Sequence, residues 1–118
     1  WYLQVRDSPP PAPWTAVAEI EDLAVSAYDP DLDALIVTAS GRVRVFAGAE
    51  GIAYCPASNR LEEEGGEGIW SLTGRGLAGT PSLEEHPAQV TAGVLYIDPT
   101  FTSPAPSATD DPAEPGCP

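Results

Sequence analysis

Cys55, His86 and Cys117 have the widest chemical reach in this sequence, which holds one histidine and two cysteines. An imidazole beside a serine hydroxyl makes a nucleophile, so His86 with Ser82 or Ser71 is the pair a hydrolase would use. No Gly-x-Ser-x-Gly elbow presents such a serine, and a histidine followed by Pro87 reads as an ordinary surface residue. Cys55, His86 and Cys117 together supply three zinc ligands, one short of the closely spaced four that a structural site takes. Glu62, Glu63, Glu64 and Glu67 offer the oxygen ligands that calcium prefers, without the alternating Asp/Asn/Gly spacing of a calcium loop. They read as a solvated acidic turn, one that would also suit a basic partner. Cys55 and Cys117 are too distant in sequence for a CxxC motif. An even count and a long loop make them a candidate disulfide in an oxidising compartment, with two free thiols as the alternative.

The elements that position these residues belong to a chain of 118 residues, enough for one core. Eighteen acidic residues against five cations, all arginine, give a net charge of −13. That balance excludes a nucleic-acid binder, which needs a basic stripe to displace counterions, and argues against direct binding to anionic lipid. Hydrophobic residues at 42% suffice for a core, while 14 Pro and 11 Gly favour many turns over long helices. No run of eighteen apolar residues occurs. The chain opens on Trp1-Tyr2-Leu3, with Arg6, Asp7 and a proline-rich stretch behind them. This pattern suggests a linker over residues 1–13 that follows a removed signal or membrane anchor. Residues 103–118 carry no large apolar side chain and form a Pro-rich extended tail, leaving residues 14–102 as the folded domain.

Within that domain the pattern is one of short strands. Residues 14–20 alternate, with Trp14, Ala16, Ala18 and Ile20 on one face, and residues 21–23 read as a helical turn or strand exit. Asp29-Pro30-Asp31 is a turn, and the β-branched run at 34–39 suits a buried strand closed by Ser40-Gly41. Arg42-Val43-Arg44-Val45-Phe46 places both arginines opposite the valines, on an exposed sheet face. Residues 52–55 form a strand that Pro56 ends, residues 61–68 an acidic glycine-rich turn, and residues 69–72 a further strand that places Trp70 in the core. Residues 88–91 and 94–97 make a hairpin across Ala92-Gly93. Closely spaced strands and turns of this kind predict an all-β domain, a small antiparallel sandwich or barrel.

Four of these pieces, in this order, resemble the Rieske iron–sulfur domain over most of residues 14–98. They are the entry Trp14-Thr15-Ala16-Val17-Ala18-Glu19-Ile20-Glu21-Asp22-Leu23, the hairpin Arg42-Val43-Arg44-Val45-Phe46 with Gly51-Ile52-Ala53-Tyr54, the exit Leu72-Thr73-Gly74-Arg75-Gly76-Leu77-Ala78-Gly79-Thr80-Pro81, and the closing Gly93-Val94-Leu95-Tyr96-Ile97. A Rieske cluster takes two Cys and two His, from a C-x-H loop and a C-x-x-H loop. Here Cys55 matches the first ligand cysteine, Ala57 stands where the first histidine belongs, and residues 68–75 hold neither Cys nor His. His86 falls in a later strand that carries no ligand in the family. The resemblance therefore implies a cluster-free Rieske-like domain with no cofactor and no catalytic residue.

The function this implies is a non-catalytic accessory subunit of a membrane electron-transfer complex, on the extracytoplasmic side and tethered through the removed N-terminal segment. Its partners would be protein subunits of that complex. They would meet a contact surface at the former cluster tip formed by Cys55, Pro56, Asn59, Trp70, Thr80 and Pro81. The alternative is a stand-alone secreted β-sandwich that binds its ligand unaided.

Overall fold

The computed structural model describes residues 11–39, 41–114 and 116. Residues 1–10 of the expected linker over 1–13, and Cys117, lie outside the described residues. Eleven strands are β1 (Thr15–Glu19), β2 (Ser26–Asp29), β3 (Ala34–Val37), β4 (Arg44–Ala47), β5 (Ile52–Cys55), β6 (Arg60–Glu63), β7 (Ile69–Trp70), β8 (Gly76–Leu77), β9 (Glu85–His86), β10 (Ala88–Thr91) and β11 (Val94–Ile97). They build three antiparallel sheets, in the orders β1-β11-β10, β2-β3-β4-β9 and β5-β6-β7-β8. The all-β expectation holds. Among the described residues no helix is long and apolar enough to cross a membrane.

The second sheet is the middle layer. All four residues of β3 are buried, as are Val45 and Phe46 of β4. Side chains alternate across a strand, so Ala34, Ile36 and Val45 pack with Leu95 and Ile97 of the first sheet. Leu35, Val37 and Phe46 pack instead with Ile52, Leu61 and Trp70 of the third. Phe46 thus shares its side of β4 with Arg44, which corrects the expectation that this side is an exposed face. Arg44 reaches the edge of the sheet and pairs with Glu85 at 3.2 Å.

The third sheet is one contiguous excursion of the chain between β4 and β9. Those two strands pair directly, Val45 with His86 and Phe46 with Glu85, so the excursion starts and ends at the same place. The Ser26 hydroxyl of β2 accepts the Tyr54 N–H at 3.1 Å and ties it to the middle layer.

Local chemistry explains where the elements depart from the sequence pattern. β1 carries a bulge between Ala16 and Ala18, which breaks the strict alternation and lets Val17 pack with Ile20 on the core. Ile20–Asp22 then forms a single 3-10 turn. The Asp29 carboxylate accepts the N–H groups of Asp31 at 2.9 Å and Leu32 at 3.3 Å, forming the turn that joins β2 to β3. The β10–β11 hairpin closes through Ala92 and Gly93, both at positive φ, as the primed turns of tight hairpins require.

Candidate functional site

The register of the third sheet places two turns at one end. β6 pairs with β5 so that Arg60 lies opposite Cys55, and with β7 so that Leu61 lies opposite Trp70. The turn after β5, residues 56–59, and the turn after β7, residues 71–75, therefore emerge side by side. These are the two segments where the resemblance places cluster loops.

Each turn is closed by its own hydrogen bonds. In the first, the Asn59 N–H donates to the Cys55 carbonyl at 2.9 Å and the Tyr54 hydroxyl donates to Asn59 Oδ1 at 2.7 Å. Asn59 sits at φ 56°, a left-handed conformation that asparagine tolerates better than most residues. In the second, the Gly74 N–H donates to the Ser71 carbonyl at 2.9 Å, and the Ser71 and Thr73 hydroxyls meet at 2.8 Å. Gly74 lies against Phe46, and a Cβ there would stand 2.6 Å from Phe46 Cε1, so the turn is seated directly on the core.

A third segment, residues 78–81, folds over β7. The Trp70 indole N–H donates to the Pro81 carbonyl at 2.7 Å, and the Gly76 N–H donates to the Ser82 hydroxyl at 2.9 Å. Glu63, Glu67, Gly68, Trp70 and residues 78–81 line an open cleft of about 390 Å³.

The expected contact surface divides in two. Pro56, Asn59 and Pro81 are exposed and Thr80 is half-buried, so they can meet a partner. Cys55 and Trp70 are 2% and 7% exposed and cannot, because the core takes both. Cys55 is disulfide-bonded.

The sulfur of Cys55 is therefore committed, Ala57 has no donor atom, and the second turn offers hydroxyls alone. The residues at this tip do not fit a [2Fe–2S] cluster, and no chemistry is routed through one here.

The remaining candidates disperse. His86 is buried in β9, not on the surface, and since a carbonyl can only accept, its Nδ1 carries the proton donated to Phe101 O at 2.8 Å. Among the described residues neither Ser71 nor Ser82 hydrogen-bonds to it, so no Ser–His pair is assembled. Zinc binding by Cys55, His86 and Cys117 fails on the Cys55 disulfide.

The acidic stretch is not one turn. Its first part is β6, where Leu61 and Glu62 are buried. Glu62 accepts from the Ser58 hydroxyl at 2.5 Å and from the Gly116 N–H at 2.9 and 3.1 Å, while Glu63 Oε1 accepts the Gly68 N–H at 3.3 Å. These carboxylates face different partners and form no calcium loop. Glu19, Glu21 and Asp22, a group the sequence pattern did not single out, bring carboxylate oxygens within 4.8 Å of one another, and all three are exposed.

The C-terminal segment completes this end of the molecule. Ser103 bridges to Glu85, and Thr109, Asp111 and Gly116 hydrogen-bond to the third sheet. Compared with family models, curated proteins and solved structures, the chain matches none.

Proposed function

We propose that this chain is a cluster-free Rieske-like domain that acts without catalysis, as an accessory, protein-binding subunit of a membrane electron-transfer complex outside the cytoplasm. The observation that carries the reading is the convergence of residues 56–59 and 71–75 at one end of the third sheet. These are the two places where the sequence resemblance expects cluster loops, and their groups serve folding instead. Cys55 is bridged, and the hydroxyls of the second turn bond to one another. What the tip offers outward is a set of exposed side chains, Pro56, Ala57 and Asn59, on the turn at the end of the third sheet. A surface of that kind docks against protein, and the net charge of −13 favours a partner with a basic face.

The test is purification of the native protein from fractionated cells in mild detergent, with iron analysis and mass spectrometry of stoichiometric partners. Recovery with redox subunits and without iron is expected, and Ala57→Arg on the exposed turn should abolish that recovery while leaving the fold intact. A lone soluble species would overturn the subunit reading in favour of a stand-alone secreted β-sandwich, which the disulfide also suits. Stoichiometric iron with a [2Fe–2S] signature would overturn both.

A further inference from the structure

The C-terminal segment crosses the outer edge of β8 as a makeshift strand. The Thr109 N–H donates to the Gly76 carbonyl at 2.9 Å, and the Gly79 N–H donates to the Thr109 carbonyl at 3.1 Å. The Ala78 N–H donates to the Asp111 carbonyl at 3.1 Å. β7 takes the opposite edge of β8, so this segment covers what would otherwise be a bare strand edge.

Its second hold is at the tip. The Gly116 N–H donates to both oxygens of Glu62, a residue 6% exposed, and Gly116 lies so close to Ser58 that a Cβ at 116 would stand 2.8 Å from Ser58 Cβ. Between Ser103 and Gly116 no large apolar residue contributes burial of its own. Cys55, at the end of the strand that leads into the Ser58 turn, is disulfide-bonded, and Cys117 is the one other cysteine in the sequence.

We propose that residues 104–114, with Gly116, form a redox latch, closed over the β8 edge in the oxidised chain and released when a dithiol reduces the Cys55 disulfide. The dithiol supplies two electrons and two protons. The S–S bond breaks, Cys55 and Cys117 become thiols, and the dithiol closes to its own disulfide. Release frees the Ala78 and Gly79 N–H groups and the Gly76 carbonyl, the donors and acceptor that an added strand engages. This inference stands on the contacts of the segment and does not depend on the family resemblance.

Hydrogen exchange on the full chain tests it, oxidised and after dithiothreitol, with thiols counted in parallel. Exchange at Ala78, Gly79 and Thr109 should accelerate about tenfold or more on reduction, while Leu35, Ile36 and Leu95 stay protected. Cys117→Ser should exchange like the reduced chain. Unchanged protection after two thiols have appeared would overturn the latch, because the weak contacts would then suffice. Acceleration throughout all three sheets would overturn it too, by making the bond a general staple. So would a bond that dithiothreitol cannot reduce in the folded chain.

Discussion

The Tyr28 hydroxyl donates to the Asp33 carboxylate across the turn that joins β2 to β3. That bond favours the protonated phenol, and the negative charges of Asp33, Glu50 and Asp29 disfavour the phenolate further, so its pKa is pushed up to about 12. The unfolded chain releases this proton near the ordinary value of 10, before the folded chain does. The contribution to stability is therefore complete below pH 10 and is lost as pH rises through 10 towards 12. In a tyrosinate absorbance titration of the folded protein, the last-titrating of the four tyrosines should disappear in Tyr28→Phe. A titration that leaves the late step in place would assign it elsewhere. At the same scale, Gly76 shows why one atom matters: a Cβ there would stand 1.7 Å from the Thr80 carbonyl oxygen. The segment that folds back over Trp70 thus needs a residue without a side chain at the start of β8.

β9 is two residues long, yet it links the middle sheet to the segment beyond β11. His86 pairs with Val45 on one side and donates through Nδ1 to Phe101 O, while Glu85 pairs with Phe46 and bridges to Ser103. His86→Ala should cost about 1–2 kcal/mol, through the lost hydrogen bond and the packing of a buried ring. Equilibrium denaturation would read it, with little change in slope, and an unchanged midpoint would show that the ring holds nothing.

At this scale the sequence was unevenly legible. The β10–β11 hairpin announces itself through alternation on both sides of Ala92-Gly93, and β3 through its β-branched run. β6 does not, because Arg-Leu-Glu-Glu has the composition of a solvated turn. Glu62 is buried there because Ser58 and Gly116 supply its hydrogen bonds, and Gly116 lies 54 residues away. His86 reads as a surface residue for the same reason, since its carbonyl partner comes from a segment fifteen residues later. Of the tip, the core position of Trp70 could be read from residue type, whereas Cys55 stays open between thiol and disulfide. The closeness of the two turns could not, because it depends on strand register.

Across the whole molecule the charge is −13 on 118 residues, and Arg44–Glu85 is a salt bridge among the described residues. Repulsion among carboxylates opposes the compact state, and salt screens it over a Debye length of about 10 Å at 0.1 M. Raising sodium chloride from low ionic strength should therefore raise the melting temperature, by roughly 2–5 °C. A flat or falling melting temperature would mean that local pairing outweighs the net charge. The middle layer has a consequence of another kind, for how freely the gene can drift. β3 has no solvent side, so each of its four positions is bound to a neighbour in one outer layer or the other. A polar substitution accepted on alternate positions of an ordinary sandwich strand has no such alternate position here. β10, with Ala88, Gln89 and Val90 exposed, has three consecutive ones. Variation between related chains should accumulate along that outer strand, while Ala34–Val37 changes apolar residue for apolar residue or not at all.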